Sequence, residues 1–134
     1  IAVLLEKYGI SKGTLQLWGT GAPMREFLWS EEMADATVFV MEKVNFEDLI
    51  QDKNEIRNCH INIGTGKEIS IRELSELVAK TVGFEGSIHF DSTKPDGTMR
   101  KLIDVSKLNA LGWKHQIEIE EGVKKLFEWY VAGK

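Results

Sequence analysis

The sequence predicts an α/β protein: a small mixed domain of short strands and amphipathic helices. Two observations carry this. Apolar residues alternate with a period of two in several short segments, and these segments alternate with others whose apolar residues recur at three- and four-residue spacings. The two-period segments are too short for a complete doubly wound sheet. The 134 residues contain no internal repeat or low-complexity tract, so residues 1–134 are expected to form a single domain.

The elements follow in order. Residues 1–8 suggest the end of a helix stopped by Gly9, and "TLQLWG" (14–19) alternates as a strand. Gly-Thr-Gly-Ala-Pro is then a turn. "REFLW" (25–29) is a second extended segment, after which Ser30, Glu31 and Glu32 suggest a cap and an acidic first turn. The helix that follows presents Met33, Ala34, Ala36, Thr37, Val40 and Met41 as one inward face. Residues 45–58 form a charged surface excursion anchored by Leu49 and Ile50, and "CHINIG" (59–64) is a strand. Ser70 and Glu73 have capping-box spacing. Their helix runs to about Val82, with Ile71, Leu74, Leu77, Val78 and Val82 inward and Gly83 as its stop. "SIHF" (87–90) is a strand, 91–101 a polar loop around Pro95, Asp96 and Gly97, and 104–113 a short capped helix. From about Ile119 to Tyr130, Val123, Leu126, Phe127 and Tyr130 mark a last amphipathic helix.

Composition narrows the function. A formal charge of −4 with no basic stripe argues against a polynucleotide partner. Cys59 is the only cysteine, which fits a reducing compartment and points to the cytoplasm. No apolar run approaches the roughly 20 residues that span a bilayer. The first ten residues lack the basic region and cleavage site of a secretory leader, and the start on Ile suggests a piece of a longer protein.

The candidate sites divide by chemistry. Gly-Thr-Gly occurs at 19–21 and 64–66, but the third glycine of a dinucleotide fingerprint is replaced by Met24 and Ile69. Both are expected to be turns. No Gly-Lys-Ser/Thr element exists, which excludes a P-loop. Arg25 lies between Pro23 and an apolar strand, where a guanidinium needs an anion. Glu26 or a neighbouring carboxylate is the structural partner; a ligand phosphate or carboxylate, with Trp18 as an aromatic wall, is the functional one. The loop at 94–101 gathers Lys94, Asp96, Arg100 and Lys101. It is either a solvated turn or a clamp for a base, a sugar hydroxyl and phosphates. The Tyr-x-x-x-Lys matches at Tyr8/Lys12 and Tyr130/Lys134 are chance pairings, broken by Gly9 or the chain end. Adjacent Cys59 and His60 point to opposite faces of a strand and form no nucleophile pair. No metal-ligand spacing is visible.

Taken together, "LWGTGAPMREFLWSEEMADA", "INIGTGKEISIRELSELV" and "FDSTKPDGTMRKLIDVSKLNALGW" with the closing helix resemble the C-terminal part of the GDP-L-fucose synthase family of extended short-chain dehydrogenase/reductases. The first two stretches are shared with many nucleotide-sugar epimerases and dehydratases; Lys-Pro-Asp-Gly-Thr with Arg-Lys and Leu-Trp-Gly-Thr-Gly are narrower. The resemblance implies an NADP-dependent enzyme that epimerises GDP-4-keto-6-deoxy-D-mannose at C3 and C5 and reduces C4. It implies substrate contacts at Trp18, Arg25, Asp96 and Lys101, no catalytic residue in this chain, and NADP bound by an N-terminal Rossmann domain that the chain lacks. It further implies a homodimer, an inactive fragment, and apolar surface exposed on the helix after Ser30 and at 59–63. Trp29-Ser30-Glu31 departs from the His-Val-Asp of many relatives, a change expected to be neutral. Another nucleotide-sugar epimerase or dehydratase, or a non-catalytic nucleotide-binding module, is the alternative.

Overall fold

The computed structural model describes residues 12–50 and 56–133. The helix expected over 1–8, Tyr8 and Lys134 lie outside them. In chain order the elements are β1 (Thr14–Trp18), β2 (Met24–Arg25), α1 (Ser30–Lys43), α2 (Phe46–Ile50), β3 (Ile69–Ser70), α3 (Ile71–Thr81), β4 (Ser87–Asp91), α4 (Ser106–Ala110) and α5 (Ile119–Ala132). They divide into two compact units. The first takes the described parts of Ile1–Glu26, Lys67–Leu102 and Glu118–Lys134; the second takes Phe27–Gly66 and Ile103–Ile117.

The first unit is organised by a parallel pair. β1 and β4 run in register from Thr14 opposite Ser87 to Trp18 opposite Asp91. One face carries a polar ladder: Thr14 and Ser87 hydroxyls meet at 3.0 Å, and Gln16 donates to Asp91 Oδ2 at 3.0 Å. Because the strands are parallel, the segments that leave their C-terminal ends start side by side, and Gly19 N–H still donates to Asp91 O at 3.0 Å. β2 and β3 form a second, antiparallel pair, with Met24 opposite Ser70 and Arg25 opposite Ile69.

The capping box before α3 is present as expected. Ser70 Oγ accepts from Glu73 N–H at 3.1 Å, and the Glu73 carboxylate accepts from Ser70 N–H at 2.9 Å. The first two N–H groups of the helix, orphaned by geometry, go to the turn before β2: Ile71 N–H to Pro23 O at 3.0 Å and Arg72 N–H to Gly21 O at 2.9 Å. The end of α3 passes through Gly83 at φ 72°. α5 packs beside α3. Val123, Phe127 and Tyr130 are half-buried as expected, but Leu126 is exposed, so the inward face is narrower than its spacing predicts.

The second unit is built on Ala36, Leu108 and Trp113, with Leu28, Phe39, Val40, Ile61 and Ile63 packed around them. Trp113 satisfies its indole N–H on Asp35 Oδ2 at 2.7 Å. Four expectations are corrected here. Ser30 is not the cap of α1: Trp29 holds the cap position without a side-chain bond, and the acidic first turn of Glu31 and Glu32 answers the helix dipole instead. The inward seam of α1 is Ala36, Phe39 and Val40, whereas Met33, Ala34, Thr37 and Met41 are exposed, because the helix faces so small a core. Residues 59–64 form no strand and join no ladder among the described residues. Side chains bind that segment: Asn62 donates to Asp104 O at 2.9 Å, and Lys107 Nζ to His60 O at 3.2 Å. Ile61 and Ile63 still turn inward, which preserves the alternation that predicted a strand. The strand expected over 25–29 is likewise reduced to β2.

Candidate functional site

Trp18, Arg25, Asp96 and Lys101 all belong to the first unit. Trp18 ends β1 and is 75% exposed, leaving its ring available for stacking. Lys94 Nζ lies 5.7 Å from the ring centroid, a cation–π geometry that brings a positive charge to the aromatic wall.

Arg25 is half-buried. Its guanidinium meets no carboxylate among the described residues, contrary to the ion pair that its surroundings suggested. Nη1 instead donates to Met24 O at 2.6 Å and Thr98 O at 2.7 Å. Two neutral carbonyls fix the orientation of the cation without neutralising it. They leave Nε and Nη2, the edge suited to a bidentate anion. A Cβ on Gly97 would come within 3.2 Å of Nη2, so the loop makes its close approach where it has no side chain.

Asp96 is held by the Gly19–Gly21 turn. Thr20 N–H donates to Oδ1 at 2.8 Å and Thr20 Oγ1 to Oδ2 at 2.6 Å. These bonds, the hydroxyl first and the amide second, favour the charged form and hold the carboxyl below its ordinary range against a smaller desolvation effect. Each carboxylate oxygen retains a second lone pair for a ligand N–H or O–H. Gly19 and Gly21, at φ 83° and 78°, adopt the left-handed backbone that places Thr20 in this position. The space beside Gly19 is filled by the Asp96 carboxylate, and that beside Gly21 by Phe90.

The other cations of the loop separate. Arg100 Nε pairs with Glu68 Oε1 at 2.8 Å, which commits it within the unit. Lys101 is exposed and has no ion-pair partner among the described residues. Of the four residues expected to form a clamp in 94–101, Lys94 lies by Trp18 and Asp96 on the Gly19–Gly21 turn, Arg100 is taken by Glu68, and Lys101 has no contact among the described residues that ties it to them. Sequence reasoning missed Thr20; its signal was a hydroxyl residue between two glycines, directly after a strand.

A pyrophosphate at Gly19 would meet the Asp96 carboxylate, and the space beside Gly66 is taken by a Val105 methyl.

No family model matches the chain. Its sequence is 45% identical over 115 residues to GDP-L-fucose synthase 1 of Arabidopsis thaliana, an alignment that covers 86% of this chain and 32% of that protein. Among solved structures, a GDP-6-OMe-4-keto-L-xylo-heptose reductase from C. jejuni superposes with a TM-score of 0.87 at 45% identity, covering 97% of this chain and 37% of that one. A GDP-D-glycero-L-gluco-heptose synthase from Campylobacter jejuni, crystallised in the presence of NADPH, gives 0.81 at 44% identity over 95% and 36%. The chain thus spans about a third of the length of the relatives it matches. Fold and sequence together liken it to part of the extended short-chain dehydrogenase/reductase fold. Within that class, the curated proteins it resembles include GDP-L-fucose synthase.

Proposed function

We propose that the chain supplies the nucleotide-sugar-binding part of an NADP-dependent epimerase/reductase that makes GDP-L-fucose from GDP-4-keto-6-deoxy-D-mannose. The observation that carries this reading is Arg25, a half-buried guanidinium aimed by two carbonyls through Nη1 and making no further hydrogen bond among the described residues. Such a cation gains most from a diphosphate or carboxylate brought to it. In this reading Arg25 and Lys101 take the diphosphate, Trp18 stacks on the nucleotide sugar, and Asp96 accepts from guanine or ribose. The likeness to a GDP-L-fucose synthase and to two enzymes of GDP-heptose chemistry supports guanine as the base.

NADP, which supplies the hydride for reduction, belongs in this reading to an N-terminal Rossmann domain outside the 134 residues, because the turns present here do not fit it. The catalytic residues lie there too, and the complete enzyme is a cytoplasmic homodimer. The chain alone turns over no NADPH with the keto sugar.

Titration of the 134-residue chain with GDP and with UDP, followed by backbone amide NMR, tests the assignment. GDP is expected to move signals of Trp18, Arg25 and Asp96 while UDP leaves them unchanged. Equal shifts with both would favour a broader nucleotide-sugar site, and no shift with either would overturn binding by this chain.

A further inference from the structure

Arg72, two residues past the capping Ser70, takes no part in the site as read so far. Yet it reaches back to it. Its backbone N–H binds Gly21 O at 2.9 Å and its Nη2 binds Thr20 O at 2.8 Å, so two consecutive carbonyls of the turn are held by one residue. The guanidinium lies 3.9 Å from the centroid of Phe90, against which Gly21 is packed. Thr20 in turn is the residue whose N–H and hydroxyl hold both oxygens of Asp96.

We propose that Arg72 is a positioning residue for the nucleotide site: it docks the Gly19–Gly21 turn on α3 and Phe90, and through Thr20 sets where Asp96 presents its acceptors. The geometry favours this over a plain helix-surface arginine. A surface arginine has no need of a left-handed glycine beside it, and here Gly21 has Phe90 2.5 Å and Arg72 3.1 Å from where a Cβ would stand. The contacts are also continuous. Arg72 holds the carbonyl of Thr20, whose amide and hydroxyl hold Asp96, so fixing this one residue from both sides couples Arg72 to the carboxylate. The ligand in question rests on the reading of the preceding section; the docking itself does not.

Both parts are separable by experiment on the 134-residue chain. Carbon-13 NMR of the Asp96 carboxyl against pH, amide exchange at Thr20, and the Kd for GDP are measured in the parent, Arg72→Ala, Arg72→Lys and Phe90→Leu. In Arg72→Ala the Asp96 midpoint rises toward that of an ordinary carboxylate, Thr20 exchanges faster, and GDP binding weakens about tenfold. Arg72→Lys, which keeps a cation over Phe90 and one donor for Thr20 O, restores part of each. Phe90→Leu gives a smaller change in the same direction. Amide signals of Ser75 to Ala79 show that α3 is intact, and should Arg72→Ala fail to fold, Arg72→Lys and Phe90→Leu decide. An unchanged Asp96 midpoint in folded variants, or a shifted midpoint with parent GDP affinity, overturns the proposal. If the parent binds no GDP, the nucleotide reading fails while the Asp96 and Thr20 measurements still decide the docking.

Discussion

The two Gly-Thr-Gly turns use the same three residues for different ends. At 19–21 the glycines make room for a carboxylate and an aromatic ring, and the threonine between them becomes the donor that holds Asp96. At 64–66, Gly64 is buried and the open face of Gly66 meets a methyl of Val105, next to the start of α4. One turn organises polar groups at the end of a parallel strand pair; the other closes an apolar core. A tripeptide therefore specifies a backbone path, and what stands across from it specifies the chemistry.

The largest test concerns the core on which Ile63, the residue before the second turn, packs. Trp113→Ala should cost about 3–5 kcal/mol of stability, since it empties that core and removes the indole bond to Asp35. Urea denaturation reads it. Gly21→Ala should cost about 3 kcal/mol, combining a left-handed backbone with a clash on Phe90. Gly66→Ala, with one yielding methyl in its way, should cost about 2 kcal/mol by the same denaturation. Equal costs would erase the distinction between the turns. Arg25→Ala should cost about 1–2 kcal/mol of stability, since two carbonyls lose their charged donor, and weaken GDP binding about tenfold or more, as measured by denaturation and calorimetry.

The smallest effect concerns pH. The Asp96 carboxyl is depressed in the folded chain by Thr20, so whatever stability it adds is fully present above the ordinary carboxylate range. That contribution is lost as pH falls through the lower, folded value. Thr20→Val removes the hydroxyl donor, and NMR titration should then find the Asp96 midpoint moved upward toward the ordinary range. An unmoved midpoint would mean that the amide alone holds the carboxylate.

Local signals were legible in the sequence where local physics decides. The capping box at Ser70 and Glu73, the strands at 14–18 and 87–91 and the short helix after Asp104 all formed close to where their residues predicted. The run at 59–64 did not become a strand because a ladder needs a neighbour, and nothing in six residues says whether one exists. The inward face of α1 was overestimated for a related reason: helical spacing gives a stripe, while the size of the opposing core decides how much of it is covered. Of the candidate site, residue type singled out Arg25 beside Trp18 and the loop's Lys94, Asp96, Arg100 and Lys101, and the resemblance narrowed these to Trp18, Arg25, Asp96 and Lys101. That Thr20 would hold Asp96, or that Arg25 would rest on carbonyls, depends on a pairing between residues 76 and 73 positions apart in the chain.

That pairing is supplied by the in-register β1 and β4 ladder, and it gives the fold a capacity for divergence. The backbone bonds that bring the two loops together depend little on which side chains the loops carry. Residues 19–23 and 92–101, tied to each other through Thr20 and Asp96, can thus be exchanged as a matched pair while their points of origin stay fixed. On the proposed nucleotide reading, a scaffold of this kind is refitted to a different base by exchanging the two loops together, with an altered base preference its readout.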